Sequence, residues 1–287
     1  MGGNDITATT DGPDAAHWRG MVERRERQMD AAYAALGRTS ADYWARRIGN
    51  RPSLLRRIAD DDDPTIRTML PYLSQTATVV DVGAGAGRYA LAIAPRAASV
   101  VAVEPDAAMV PRLEEALSES GTRNVEVVEA RWQDAEVEAA DLVLCAHVLY
   151  PIADAASFIH KLDACARRAC FLALREIVSE PEPLGRLWYR FHGERRCLQP
   201  GYVEAFNLMH ELGIRANVSV GRIAGPSWSW EDLDGAVAGV REHLILPESP
   251  EIDAVIRMEL TSAVIEDGGM LSLRVDETYM GVLWWEK

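Results

Sequence analysis

An α/β protein built on a doubly wound, mainly parallel sheet is predicted by three features of this sequence. Short apolar runs alternate with helical patterns between residues 78 and 175. The first run breaks into a glycine turn, Gly83-Ala84-Gly85-Ala86-Gly87, directly after Asp81-Val82. The second run, Ser99 to Val103, ends in another acid, Glu104. Alternating strands and helices favour parallel pairing with helices on both faces, and ligands then gather at the carboxyl ends of the strands.

The elements follow in order. Residues 1–13 carry no periodic pattern and read as a disordered terminus. From Asp14 a helix is predicted, with Trp18, Val22, Met29, Tyr33 and Leu36 at helical spacing and Gly37 as its stop. Ser40 starts a second, with Tyr43, Trp44 and Ile48 on one face, and Asp63-Pro64 opens a third as cap and first-turn proline. Residues 14–74 thus form an N-terminal helical cap on a domain spanning 75–287. Arg46, Arg47, Arg51, Arg56 and Arg57 read as a solvated face, and Asp60–Asp63 as a solvated acidic loop. In the core, strands are expected at 78–82, 99–104, 125–129, 141–146 and 169–175, with helices at 87–95, 106–120 and 154–167. Beyond 175 the pattern changes. An insertion at 178–200 is rich in proline, arginine and aromatics, and a helix at 201–212 leads to a strand at 216–223. Helices at 229–244 and 250–265 fill a second insertion, 225–277, before strands at Leu271–Val275 and Tyr279–Trp285. In the closing strand Trp284 and Trp285 alternate, one toward the core and one under a helix.

Composition narrows the partners. The 287 residues suffice for a full core, and 48% hydrophobic content is that of a globular chain. A net charge of −14 disfavours a nucleic-acid substrate. Cys145, Cys165, Cys170 and Cys197 form no C-x-x-C pair, so they read as reduced thiols of a cytoplasmic protein, with no metal site. No apolar segment reaches membrane-spanning length, and no signal-peptide core is seen.

The glycine spacing separates two cofactor types. A dinucleotide site wants G-x-G-x-x-G, whose third glycine lets the helix pack closely. Arg88 stands at that position, and the glycines fall at 83, 85 and 87 instead. With Asp81 before it and Glu104 after, this turn resembles motif I of the class I S-adenosylmethionine-dependent methyltransferases. A ligand-free glycine turn and a nicotinamide site are the competing readings.

That resemblance covers about residues 75–176 well and the flanks loosely. It implies a Rossmann-like sheet of about seven strands with an antiparallel last strand, paired between the strands near 218 and 282. It implies S-adenosyl-L-methionine as cofactor, with Asp81, Gly83, Gly85 and Gly87 along the methionine and adenosyl part and Glu104 on the ribose hydroxyls. Pro105, Arg131, Trp132 and Cys145 complete the expected cofactor rim. Asp106 either caps the next helix or joins that rim, and Met109 faces either the adenine or the core. Relatives often carry an aspartate where Arg131 stands; arginine accepts no hydrogen bond, so Gln133, Asp134 or a backbone amide would serve the adenine. Trp132 either stacks there or fills a loop pocket.

His147-Val148-Leu149 follows the fourth strand, where the resemblance puts the transferable methyl. His147, Tyr150 and His192 are the candidate catalytic residues; Tyr150 would orient a substrate, and His147 and His192 have a packing role as the alternative. Trp188, Tyr189, Phe191 and His192, beside Arg190, Arg195 and Arg196, form either a site for a planar or anionic molecule or an amphipathic helix. The expected activity is methyl transfer to a small-molecule acceptor by a monomer or homodimer. An RNA or protein acceptor and a non-catalytic regulatory role are the other readings.

Overall fold

The structure, a computed structural model, describes residues 12–39, 58–176, 181–223, 228–267, 269–273 and 278–287. The helix expected from Ser40, with Tyr43, Trp44 and the arginines from Arg46 to Arg57, lies outside the described residues, as does most of the N-terminal tail.

The first helix, α1, is Pro13–Ala35, followed by the short α2, Pro64–Met69. Then come β1 (Thr78–Val82), α3 (Ala90–Ile93), β2 (Ser99–Val103), α4 (Val110–Ser120), β3 (Val125–Val128), β4 (Ala140–Ala146), α5 (Ala155–Cys165) and β5 (Ala166–Arg175). The C-terminal part holds α6 (Glu182–His192), α7 (Tyr202–Glu211), β6 (Asn217–Ile223), β7 (Trp228–Trp230), α8 (Leu233–His243), α9 (Pro250–Thr261), β8 (Val264–Asp267), β9 (Met270–Leu273) and β10 (Thr278–Glu286). The main sheet has seven strands in the order β3-β2-β1-β4-β5-β10-β6. Its first five pair in parallel, and β10 runs antiparallel between β5 and β6, as expected.

Burial explains the parallel strands. Val79, Val80, Leu142, Val143, Leu144 and Cys145 are almost fully covered, as a two-sided strand requires. One face packs on α1, α5 and α7, where Trp18, Phe158, Ile159, Leu162, Leu208 and Trp285 meet. The other packs on α2 and α3, where Ile66, Met69, Ile93 and Phe171 meet. Trp285 and Trp284 therefore divide between the two faces as their alternation predicts. The indole N–H of Trp285 donates to Asp163 Oδ1 at 2.7 Å, and Lys287 Nζ donates to Oδ2 at 2.7 Å.

Two corrections to the expected elements concern the second insertion. Trp228–Trp230 is a strand, not the start of a helix, and Val264–Asp267 is a strand where the helix was expected to run to 265. With Met270–Leu273 they form a second sheet, ordered β7-β9-β8. Alternating short aromatic and apolar residues satisfy both periods over so few positions. This small sheet, α8 and α9 close a separate cluster over Leu184, Leu187, Trp188, Ala32 and Tyr33.

Helix α1 ties the two clusters together. Trp18 and Val22 sit in the main core while Ala32 and Tyr33 sit under the insertion. Glu211 at the end of α7 accepts the amides of Asp14 and Ala15 at 2.8 and 3.0 Å, a carboxylate at a helix N-terminus. The Trp18 indole donates to the Ile152 carbonyl at 2.8 Å. Trp18→Ala is expected to cost roughly 3–5 kcal/mol, the range for emptying a buried aromatic site. Urea unfolding would read this as a lower midpoint at unchanged slope; an unmoved midpoint would show that α1 stands outside the cooperative unit.

Candidate active site

The glycine turn is held by the strand beside it. The amides of Gly83 and Ala84 both donate to the Val103 carbonyl, at 2.7 and 3.1 Å, so the end of β1 is tied to the end of β2. Gly83 (φ 75), Gly85 (φ 57) and Gly87 (φ 90) are all left-handed, a conformation glycine adopts without strain. A Cβ on Gly83 would lie 2.2 Å from Val148 Cγ2, so the turn and the loop after β4 touch with no room between them.

Two carboxylates lie under this turn. Glu104 spans it: Oε2 accepts the Gly85 amide at 2.7 Å and Oε1 accepts the Asp106 amide at 2.9 Å. Each oxygen keeps a second lone pair for a ligand. Burial raises the Glu104 carboxyl above its ordinary range, against the two amides that lower it. Asp81, on β1, is buried, and its Oδ2 has no hydrogen-bond partner. Burial first, and the charge of Glu104 after it, push the Asp81 carboxyl up to about 7, against a hydrogen bond from the Ala90 backbone. An orphaned carboxylate oxygen beneath a glycine turn fits a site that receives a cationic ligand.

The loop after β4 brings a second group of residues alongside. His147 has φ 61, an uncommon backbone position for a residue with a Cβ. Its amide donates to the Ala173 carbonyl at 2.8 Å, and Nδ1 lies 3.0 Å from the Tyr150 hydroxyl. That hydroxyl accepts the Arg175 amide at 2.8 Å. Asp63 and Arg88 close the other side. Arg88 Nη2 donates to Asp63 Oδ2 at 2.8 Å, while Oδ1 accepts the Thr65 amide at 2.8 Å and caps α2. The Ala59 amide donates to the Arg88 carbonyl at 3.0 Å. The segment before α2 is therefore strapped to the far end of the glycine turn.

The comparisons with known proteins agree with this geometry. Residues 79–168, which hold the glycine turn, both acids and the loop after β4, match the family model described as "Methyltransferase domain". Over these residues the chain is similar to methyltransferase domains. The YcgJ protein from Bacillus subtilis is similar in fold at 14% identity, with a TM-score of 0.50 over 76% of this chain and 97% of that one. Magnesium protoporphyrin IX methyltransferase from Synechocystis PCC 6803, solved with bound SAH, is 13% identical, with a TM-score of 0.46 over 90% of this chain and 99% of that one. At these identities the likeness concerns the fold alone. The search of curated proteins returned no match. No helix among the described residues is long and apolar enough to cross a membrane.

Around the glycine turn the expected residues divide. Asp81, the three glycines, Glu104, His147 and Tyr150 are brought together. Pro105 is exposed beside them, and Asp106 Oδ1 accepts the Ala108 amide at 2.8 Å, which makes it the cap of the turn leading to α4. Four other candidates are engaged elsewhere. The Arg131 side chain is exposed and sits 3.9 Å from Asp134. Trp132 and Cys145 are buried in the core on the α5 face, with Lys161 Nζ 4.9 Å over the Trp132 indole. His192 stacks on Trp188 at 3.9 Å and its Nε2 meets the Leu244 carbonyl at 2.8 Å. Arg196 covers the indole of Trp188 at 4.3 Å and bonds His243, so Trp188 is stacked between His192 and Arg196.

Three residues of the methyltransferase site went unread in the sequence: Asp63, Tyr89 and Arg175. Asp63 corrects the expected solvated loop, since it is buried against Arg88 and Tyr89. Its capping position before Pro64 was legible, but its partner Arg88 lies 25 residues on and nothing local marks the pair.

Proposed function

We propose that the protein transfers a methyl group from S-adenosyl-L-methionine to a small molecule held over the ends of β4 and β5. The orphaned Asp81 Oδ2 beneath the glycine turn carries the cofactor part of this reading. Asp81, Gly83, Gly85, Gly87 and Glu104 are the residues that would hold the cofactor, Glu104 through its spare lone pairs and Asp81 as a buried negative charge. The bound cofactor supplies a methyl group on a cationic sulfur, already activated for in-line displacement. The chain's own residues then align and enclose, which is most of what such a reaction needs.

The strap from Ala59 to Asp63, tied to Arg88 at the far end of the glycine turn, supports an enclosed site and so a small acceptor. The acidic chain supports the same choice. Free thiols at Cys145, Cys165, Cys170 and Cys197 support a cytoplasmic location.

Calorimetric titration tests the cofactor. S-adenosylmethionine and S-adenosylhomocysteine are expected to bind, and NADH is not. Glu104→Ala is expected to weaken both by roughly tenfold or more, the value of one charge-assisted hydrogen bond. Heat with NADH alone, or unchanged affinity in the variant, would remove the reading.

A further inference from the structure

The hydrogen bonds around Tyr150 decide which nitrogen of His147 faces the acceptor. A phenol has one proton and, in the plane of its ring, one good acceptor lobe. The Arg175 N–H fills that lobe at 2.8 Å. The phenolic proton is left to point at His147 Nδ1, 3.0 Å away. Nδ1 is then the acceptor nitrogen of a neutral ring, and the ring proton sits on Nε2. Among the described residues, Nε2 has no hydrogen-bond partner.

The surroundings oppose a second proton on this ring. Arg175 faces it from β5 and Arg88 from the glycine turn, and the facing carboxylate among the described residues, Asp63, is already bonded to Arg88. Burial first, and Arg175 after it, lower the imidazole to about 3. With Nδ1 taken by the Tyr150 hydroxyl and the proton on Nε2, the ring has no free lone pair to serve as a base for an alcohol, a phenol or an ammonium group. Tyr150 offers no base either, since burial raises its hydroxyl above the ordinary range.

We propose that Tyr150 is a positioning residue that fixes His147 as an Nε2–H donor toward the acceptor, and that the acceptor is a carboxylate. The inference rests on the methyl-transfer reading above. A loop whose histidine donates and whose tyrosine stays protonated suits an oxygen nucleophile that arrives without a proton, and a carboxylate does so at neutral pH. One carboxylate oxygen accepts from Nε2–H while the other attacks the methyl carbon. An O–C bond forms, the C–S bond breaks, and its electron pair stays on sulfur. The products are a methyl ester and a neutral thioether, and no proton is released.

Nitrogen NMR of the full chain, labelled at histidine and saturated with S-adenosylhomocysteine, tests the first half. His147 is assigned by the signals lost in His147→Asn. The expected spectrum has Nδ1 bare, Nε2 protonated and no titration between about pH 5.5 and 9. Tyr150→Phe should release the ring into a mixture of tautomers. A protonated Nδ1 in the parent protein, or a midpoint inside that range, overturns the proposal. The second half is tested with tritiated S-adenosylmethionine and an equimolar mixture of benzoate, phenylacetate and hexanoate with benzyl alcohol, phenol and benzylamine. Label in base-labile esters, at a rate flat with pH, is the expected result. Label in base-stable products, or in none of the carboxylates, overturns it. Failure of the parent protein to bind S-adenosylhomocysteine would instead remove the underlying methyl-transfer reading.

Discussion

Asp81→Asn is expected to make the cofactor-free protein more stable at pH 8. The Asp81 carboxyl, ordinarily near 3.8, stands at about 7 in the fold, chiefly because burial penalises its charge. Below about pH 4 the folded and unfolded chains both carry the proton, and the group's contribution is at its most favourable. Between there and pH 7 the unfolded chain gives up its proton first. The native state then binds more protons, so stability falls as pH rises and levels off above 7. A displacement of about three units corresponds to roughly 4 kcal/mol. Asn keeps an acceptor for the Ala90 amide and carries no charge. Urea unfolding at pH 5 and pH 8 should show the parent losing stability across that interval and the variant losing far less. Glu104, raised in the same direction, leaves a smaller residual slope in both. Equal pH dependence would refute the assignment. The same variant should bind S-adenosylmethionine more weakly, since the charge that burdens the empty fold is the one a cationic ligand meets.

Gly83→Ala is the substitution with the next largest expected effect. The added Cβ would stand 2.2 Å from Val148 Cγ2 on a backbone with φ 75. The left-handed backbone costs about 1–2 kcal/mol for an alanine, and overpacking adds about 1–3 kcal/mol. Together these are about 2–5 kcal/mol, and at about 2 °C per kcal/mol for a chain of this size Tm should fall by roughly 4–10 °C. Relief of the clash would displace Val148 and with it His147, so binding of S-adenosylhomocysteine should fall as well. The pair Gly83→Ala with Val148→Ala separates the two contributions. Space is restored while the backbone strain stays, and Tm should recover in part. Full recovery would leave no strain to account for, and no recovery would show that Val148 is not the obstacle.

The sheet and the cofactor half of the site were legible because their signals are local. Continuous apolar runs such as Val79-Val80 and Leu142–Cys145 mark strands covered on both sides. The alternating glycines mark the turn, and Arg88 in place of a dinucleotide glycine marks its type. What stayed hidden depends on partners distant in sequence. Trp188 between His192 and Arg196 has the composition of a ligand site, and only the folded chain shows the stack already complete. Trp132 and Cys145 sit next to the cofactor edge in sequence, yet their side chains enter the core. The small sheet of β7, β9 and β8 escaped because strands of three or four residues are too short to show a period.

The second insertion leaves the main sheet after Ile223 and returns at Thr278, and these two residues are register partners across β6 and β10. In evolutionary terms the whole excursion is the overgrown tip of a hairpin. A tight turn could join the same two strands without disturbing a single rung of the ladder. The length of this excursion is therefore uncoupled from the glycine turn, which lies on the opposite half of the sheet. Grafting this tip onto a related scaffold would be a splice at two neighbouring positions.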